Sequence, residues 1–323
     1  MENVIFVTQT LGPKAGCGIG LIGKLLSESL VKSKKYDFEI LYADDAATLD
    51  AKIAEINPKV VIYNYHSHTA PLAQDQSIRS KYPNIVYIML HHDMHQQLVD
   101  SYNPASNFGI KYLITADTTL RGNDNVFLVN RLIPPHHPKP YVDLGIPVIG
   151  FQGFGPPHKG IYRIAQQVQH EFDEAIIRLH IPFSFFGDPQ GREARARVAE
   201  VMSIIKKPGI KVEATHDLRS TEDIIEFLGQ NTINCYFYDP LPGAGLASSP
   251  DYALAARRPI AVTKSHQLRN FIGLSPSVCI EDNSLKDIIS FGSKPLEGLH
   301  KFYTEDSVIG DYERIIDKLI AGN

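Results

Sequence analysis

Residues 148–160 read Val-Ile-Gly-Phe-Gln-Gly-Phe-Gly-Pro-Pro-His-Lys-Gly, and this stretch decides the fold class. The apolar run at 148–151 has the length of a buried strand, and the glycines and prolines after it are typical of a turn. A helical pattern follows directly at 160–172. The stretch therefore predicts a strand, a glycine-bearing turn and a helix, which together make half of a parallel βαβ unit.

The same order recurs on both sides of this stretch. At the start of the chain, the apolar run Val4–Thr8 precedes a glycine-bearing loop at 11–20 and a helical pattern at 21–31. Continuous apolar runs separated by helix-length segments indicate parallel sheets that are covered on both faces. The other predicted strands are Phe38–Tyr42, Val60–Tyr63, Ile85–Leu90, Tyr112–Thr115, Val126–Val129, Ile181–Phe186, Ile210–Ala214, Ile233–Tyr238, Pro259–Thr263 and Val278–Ile280.

A proline-rich segment separates two such series. Residues 131–147 hold five prolines, which fix φ and lack an N–H donor, so this segment is predicted to be a stiff linker. We therefore predict an α/β protein with two Rossmann-like, doubly wound parallel-sheet domains that face a cleft, the expected ligand site. The predicted segments are a first domain at 1–133, the linker at 134–146, a second domain at 147–304 and an amphipathic C-terminal helix at 305–323.

Composition narrows the class of protein. Of the 323 residues, 43 % are hydrophobic and 21 % charged, which excludes a disordered chain, and the net charge of −4 argues against a whole-protein footprint for nucleic acid. No apolar run approaches the roughly 18 residues of a membrane helix, so we expect no integral membrane contact. The start Met1-Glu2-Asn3 has no basic region typical of a signal peptide. Three distant cysteines complete the expectation of a reduced, cytoplasmic protein.

The first glycine loop has several interpretations. Gly16, Gly18 and Gly20 let the backbone approach a ligand, and the following helix N-terminus favours an anion. The run Gly18-Ile-Gly-Leu-Ile-Gly23 meets the dinucleotide fingerprint, with Asp44 at about the right distance. The same run with Lys24 approximates a phosphate-binding P-loop, although Leu25 replaces the required Ser or Thr. A tight turn without a ligand also explains these glycines.

Two segments of the second half are candidates for binding phosphate. Lys159 lies where a helix begins after a glycine turn, where it would neutralise a diphosphate or be an ordinary surface lysine. The loop from Asp239 to Asp251 contains Gly243, Gly245 and serines beside another predicted helix. Ser249 is predicted to cap that helix, with Pro250 in its first turn. Capping alone does not account for the two glycines, which favours a binding site.

Histidines cluster after two strands of the first half. His66 and His68 follow one predicted strand, while His91, His92 and Asp93 follow the next. The carboxyl ends of parallel strands meet at one edge of a sheet, so these side chains are candidates to bind a metal or sugar hydroxyls, or they are ordinary loop histidines. No helical His-Glu-x-x-His motif is present, and we expect no metal.

The second-half pattern resembles the donor domain of GT-B glycosyltransferases, most closely the retaining family 4. The resemblance lies in Gly153-Phe-Gly155, Lys159-Gly160, the glycine-rich loop, Ala253-Leu-Ala255 and Arg258-Pro-Ile-Ala-Val262, and in the first half in Cys17-Gly-Ile-Gly20 and His92-Asp93. It implies a transferase without cofactor or bound metal, and a last helix that crosses back to the first domain. The implied partners are a nucleoside diphosphate sugar and a hydroxyl acceptor, either a saccharide or a modified DNA base.

The resemblance also assigns residues. His92, Asp93 and Lys159 would be catalytic, and His66, His68 and His91 would bind the acceptor. The chain departs from the family pattern at Phe154, where an arginine is usual, and lacks its two glutamates. Asp251 would take over the ribose contact. The donor-binding set is Gly18, Ile19, Gly20, Gly153, Gly155, Gly243, Gly245, Leu246, Ser248, Ser249 and Asp251.

Other functions fit the same two-domain scaffold. A sugar-nucleotide epimerase would need no acceptor, an NAD-dependent enzyme would use the Gly18–Gly23 fingerprint, and a metal-dependent hydrolase would use the histidines. A non-catalytic protein with two lobes closing on a ligand is a further alternative. Stereochemistry, sugar, nucleotide and acceptor stay open at this point.

Overall fold

The structure, a computed structural model, describes residues 1–10, 18–68, 70–185 and 187–322, without the side chain of Ser106. Contacts divide the chain into two compact units, one formed by Met1–Leu132 with Phe302–Asn323 and the other by Ile133–Lys301. The strands are β1 (Glu2–Thr8), β2 (Tyr36–Tyr42), β3 (Val60–Tyr65), β4 (Val86–His91), β5 (Tyr112–Thr115), β6 (Val126–Leu128), β7 (Val148–Gln152), β8 (Ala175–His180), β9 (Ile210–Thr215), β10 (Ile233–Tyr236) and β11 (Ile260–Val262). The helices are α1 (Gly18–Leu30), α2 (Ala46–Ile56), α3 (Ser77–Lys81), α4 (Gln96–Asp100), α5 (Ile161–Glu171), α6 (Arg192–Ile204), α7 (Thr221–Gly229), α8 (Ser249–Ala255), α9 (Leu285–Phe291), α10 (Glu297–Phe302) and α11 (Glu305–Ala321).

Each unit is built on a parallel sheet, which confirms the predicted fold class. The first sheet has the strand order β2-β1-β3-β4-β5-β6 and the second β11-β10-β7-β8-β9. All of the strand pairs are parallel, as β1 with β3 and β7 with β8 illustrate. Parallel neighbours need a crossover connection, which helices provide for most of the pairs, whereas a segment without a helix joins β5 to β6.

Both faces of the first sheet are buried, because alternate side chains of each strand enter two separate cores. Val4 and Phe6 of β1 belong to the core under α1, whereas Ile5 and Val7 point to the opposite face. The C-terminal helix α11 packs on the α1 side, where Tyr312 and other apolar residues of one helix face are almost completely buried. This helix therefore belongs to the core of the first unit, although it follows the second unit in sequence.

Helix starts are fixed locally by capping side chains. A side-chain oxygen of the residue before the helix accepts a hydrogen bond from a backbone N–H of the first turn, which otherwise has no partner. These caps are Asp45 before α2, Ser220 before α7, Ser284 before α9 and Thr304 before α11.

The proline-rich segment lies against the second unit. His136 contacts Glu226 of α7 at 3.2 Å, and Pro138 packs on Gly229 at the end of the same helix. Tyr141 lies under the guanidinium of Arg258, which is 3.6 Å from the ring centroid. These contacts give the segment a fixed path along α7 without regular secondary structure.

Several predicted elements are wrong in position. The strand expected at 181–186 lies instead at 175–180, because Arg178 interrupts the apolar run that would have revealed it. Its guanidinium is paired with Glu213 of β9 at 3.1 Å, which allows a charged residue within the strand. The strand predicted at Val278–Ile280 is reduced to one isolated bridge between Cys279 and Val262. No helix in the described ranges is long and apolar enough to cross a membrane.

Candidate active site

The turn after β7 presents Lys159 at the carboxyl edge of the second sheet. The chain passes through Gly153 and a short turn of 3-10 helix at Pro157–Lys159, and α5 begins after Gly160. Gly160 has a φ of +58°, and a Cβ at this position would lie 2.0 Å from the carbonyl oxygen of Phe237. Only glycine fits this left-handed conformation and close approach, so the sequence Lys159-Gly160 determines where the lysine is held.

Lys159 is a partly buried cation that lies over an aromatic ring. Its Nζ lies 3.9 Å from the centroid of the Tyr238 ring, within the range of a cation–π contact. Among the residues that the structure describes, none brings a carboxylate to this ammonium group. Burial therefore lowers the pKa of Lys159 to about 7. A desolvated, unpaired cation at a strand end favours an anionic ligand.

The loop from Asp239 to Ser248 lies beside the Lys159 turn. The backbone N–H of Asp239 donates to the carbonyl of His158 at 2.8 Å, and the carboxylate of Asp239 pairs with Arg163 at 2.6 Å. The carboxylate of Asp239 is therefore paired with Arg163 and not with Lys159. On the other side, a Cβ on Gly153 would lie 3.0 Å from the hydroxyl of Ser249. The turn after β7 and the start of α8 therefore approach closely.

The predicted cap of α8 is wrong by one residue. Ser249 is the first helical residue, and Ser248 precedes the helix without a side-chain capping bond. The Ser249 carbonyl accepts a hydrogen bond from the Tyr236 hydroxyl at 3.3 Å. The remaining candidate residues of this loop differ in exposure: Gly243 is exposed with a φ of +81°, Leu246 is partly buried, and Gly245 and Asp251 are buried. Gly155 serves packing, since a Cβ there would lie 3.3 Å from Ala194 of α6.

In the first unit, His92 belongs to a buried polar network. Its Nε2 lies 2.7 Å from Oδ1 of Asn64, the penultimate residue of β3. The amide nitrogen of Asn64 donates to the hydroxyl of Thr8 at 3.0 Å and to the carbonyl of Ile19 at 3.1 Å. Burial is the main cause that lowers the pKa of His92 to about 3, with His91, Arg131 and His66 adding to it. His92 is therefore a neutral imidazole at physiological pH.

The other histidines of this edge are more loosely held. Burial also lowers the pKa values of His66 and His91, and the buried Nδ1 of His91 has no hydrogen-bond partner among the described residues. His68 is exposed, and its ring centroid lies 5.9 Å from that of His66. Asp93 is exposed next to His92. Within the described parts of the chain, no three His, Cys, Asp or Glu side chains are grouped to hold a metal ion.

The first glycine motif lies partly in a helix rather than in a loop. Helix α1 begins at Gly18, so Gly18, Ile19 and Gly20 form its first turn, whereas Gly16 and Cys17 lie outside the described residues. The prediction that the helix starts at 21 is therefore wrong by one turn. Gly23, the last glycine of the motif, allows close packing, since a Cβ there would lie 2.3 Å from Nδ2 of Asn64.

Two residues of these sites were missed by sequence reasoning. Tyr238 supplies the ring beneath Lys159, and Asn64 holds His92. A signal for Asn64 does exist, because it is an amide near the carboxyl end of the otherwise apolar run 60–65. Its partner is 28 residues away, and no local pattern connects the two.

Comparison of the sequence with protein-family models and with curated proteins gives no match. Solved structures do match. A sucrose-phosphate synthase from Thermosynechococcus elongatus is 9 % identical, with a TM-score of 0.69 and full coverage of both chains. A glycosyltransferase from Rickettsia africae is 11 % identical, with a TM-score of 0.59 over 100 % of this chain and 99 % of that one. The HepE protein of Anabaena in complex with UDP is 12 % identical, with a TM-score of 0.57 over 98 % and 95 % of the two chains. At these identities the likeness concerns the fold, and this chain has the two-domain α/β fold of GT-B glycosyltransferases.

Proposed function

We propose that this protein is a glycosyltransferase that moves a sugar from a nucleoside diphosphate sugar to a hydroxyl acceptor. The observation that carries the proposal is Lys159, a partly buried ammonium group over the Tyr238 ring with no carboxylate among the described residues. A fold by itself does not determine a reaction, whereas a desolvated cation at a strand end favours an anionic ligand. A diphosphate would supply the negative charge that the site lacks.

Lys159 has a definite task in such a reaction. When the bond between the sugar and the diphosphate breaks, negative charge grows on the departing phosphate. A cation held in place near that oxygen stabilises the transition state more than the ground state, and one such donor typically contributes ~3 kcal/mol. The nearby Ser249 hydroxyl and the backbone around Gly153 would add hydrogen bonds to the same phosphates.

We further propose retention of configuration. In an inverting transferase, a side-chain base with a pKa near the working pH removes the acceptor proton. The pKa of His92 is lowered to about 3, which makes this residue a poor base at pH 7. A retaining mechanism can use the departing phosphate itself as the base. His92 would then bond a hydroxyl of the transferred sugar as a neutral imidazole, with Asp93 beside it.

The reaction is proposed to need no metal. Lys159 would provide the charge that a divalent cation provides elsewhere, and the described acidic residues form no group suited to such a cation. UDP-sugars are the first donors to test, because the structurally similar HepE protein was solved with UDP. The acceptor hydroxyl is proposed to belong to a saccharide, with a modified DNA base as the alternative, and to contact His66, His68 and His91.

The proposal is tested by nucleoside diphosphate release from UDP-, GDP-, ADP- and TDP-sugars with EDTA present and no acceptor. We expect slow hydrolysis of one donor, unchanged when EDTA is replaced by Mg²⁺. Binding is measured in parallel by thermal shift, with NAD included as a competing ligand. If no nucleotide-sugar is hydrolysed and none shifts the melting temperature, the transferase proposal is wrong.

A further inference from the structure

The side-chain amide of Asn64 makes three hydrogen bonds inside the first unit, two through its NH₂ group and one at Oδ1. Its side chain is 2 % exposed and lies at the carboxyl end of the inner strand β3. There it is surrounded by the end of β1, the first turn of α1 and His92. The network also explains Gly23, because any side chain at that position would displace the Asn64 amide. Both N–H donors of this buried amide are therefore used within the network.

The orientation of Asn64 determines which nitrogen of His92 carries the proton. The carbonyl of Ile19 can only accept, so the group facing it at 3.1 Å must be the NH₂ of Asn64. The oxygen Oδ1 therefore faces His92, and an amide oxygen can only accept. It follows that Nε2 of His92 donates the 2.7 Å hydrogen bond and that Nδ1 carries the lone pair.

We propose that Asn64 is a positioning residue, which holds His92 in the Nε2–H tautomer so that Nδ1 accepts a hydrogen bond from a substrate hydroxyl. This inference rests on the proposed function, since it names the hydroxyl of a sugar substrate as the donor. Asn64 itself contacts no substrate and acts through the imidazole ring.

The surroundings of His92 keep the ring neutral. Burial is the largest cause that lowers its pKa, and the neighbouring side chains of His91 in β4, Arg131 after β6 and His66 after β3 each disfavour a second proton further. The positive charge of Arg131 opposes protonation of His92, and the neutral amide of Asn64 adds no negative charge that would favour it. A carboxylate in place of the amide would reverse this balance, because an opposite charge at hydrogen-bond distance favours the imidazolium.

The first experiment needs no substitution. Protein with ¹⁵N-labelled histidines is examined by long-range ¹H–¹⁵N NMR from pH 5 to 9, and His92 is assigned by the signal lost in His92→Gln. We expect a neutral ring protonated at Nε2 over the whole range. An Nδ1–H tautomer, an equal mixture or an imidazolium would overturn the inference.

Three variants then separate positioning from a merely structural role. Asn64→Leu removes the acceptor and should give mixed tautomers, with donor turnover lowered about 10- to 100-fold at every pH. Asn64→Asp keeps the acceptor but adds charge, so turnover should fall toward acid with an inflection between about pH 4 and 6 that the wild type lacks. Thr8→Val is the matched control: it removes another bond of Asn64 and should leave the tautomer unchanged and turnover within about threefold.

Two results would contradict a positioning role of Asn64. If Asn64→Leu keeps the Nε2–H tautomer and normal turnover, or if Asn64→Asp and Thr8→Val have the same pH profile, Asn64 does not position His92. Failure of the proposed function is a separate result, namely that the wild type hydrolyses no nucleotide-sugar. The NMR measurement decides the Asn64–His92 relation in either case.

Discussion

Replacing Lys159 with methionine tests whether this side chain holds the donor diphosphate. Methionine has a similar length, so the apolar contact with the Tyr238 ring is kept while the ammonium group is lost. A hydrogen bond from a charged donor contributes about 1.5–3 kcal/mol, so UDP should bind about 10- to 100-fold more weakly at pH 7. The melting temperature should be unchanged or higher, because burying an unpaired cation is unfavourable.

The pH dependence of the wild type follows from the same side chain. Since burial lowers the pKa of Lys159 to about 7, about half of these side chains are charged at pH 7 and about one in a hundred at pH 9. If only the charged form binds the diphosphate, the apparent Kd is the intrinsic Kd divided by the charged fraction. UDP affinity should therefore fall about 50-fold from pH 7 to pH 9, because rising pH removes the proton that binding requires.

Calorimetric titration with UDP at pH 7, 8 and 9 measures both effects. In Lys159→Met the affinity should change little over this range, and this variant also corrects for titration of the nucleotide itself. Lys286→Met is the matched control, because Lys286 is exposed and lies 5.4 Å from the Phe172 ring centroid. Lys159 does not hold the diphosphate if Lys159→Met binds UDP as tightly as the wild type does, or if both proteins lose affinity in parallel as pH rises.

Three further predictions concern other parts of the chain. Gly160→Ala should lower the free energy of unfolding by at least about 2 kcal/mol and abolish donor hydrolysis, because its Cβ would lie 2.0 Å from the Phe237 carbonyl oxygen. Urea titration measures the stability, and a loss below about 1 kcal/mol would contradict the prediction. Ile316→Ala should cost about 2–5 kcal/mol, with faster amide exchange in β1 and β3 but not in β7, whereas equal effects in both units would show that α11 is not part of the first core. His92→Gln should lower sugar transfer more than tenfold while UDP affinity stays within about twofold, and equal losses of both would indicate a structural role.

The fold could be predicted largely because its signals are local. The apolar run at 148–151, the glycines after it and the helical pattern of α5 are contiguous, so they can be read without knowing any distant contact. The predicted position of β8 was wrong, because a charged residue interrupts the apolar run of this strand and its partner is distant in sequence. Arg178 is acceptable within β8 only because Glu213 lies on the neighbouring strand, 35 residues further along the chain.

In the candidate sites, too, the residues with local sequence signals could be predicted, and the contacts between distant residues could not. Lys159 and Gly160 could be chosen from sequence because they are adjacent and because only glycine fits the turn. The ring of Tyr238 beneath the lysine, and the state of His92, depend on side chains that meet only after the sheets form. The roles assigned to the glycines of the Asp239–Asp251 loop and to the acceptor histidines stay predictions until a ligand is bound.

The position of α11 has a consequence for synthesis of the chain. The first unit consists of Met1–Leu132 and Phe302–Asn323, so the segment that covers one face of its sheet leaves the ribosome about 170 residues after the rest. At a synthesis rate of about 5–20 residues per second, α11 becomes available to the core under α1 roughly 10 to 30 seconds after the rest of the first unit. During that interval the second unit, which is continuous in sequence, can complete its own fold, while the part of the first core that α11 later covers is open to chaperones or to aggregation. A released chain truncated before Glu305 should therefore be cleaved by protease in the first unit and resist cleavage in the second.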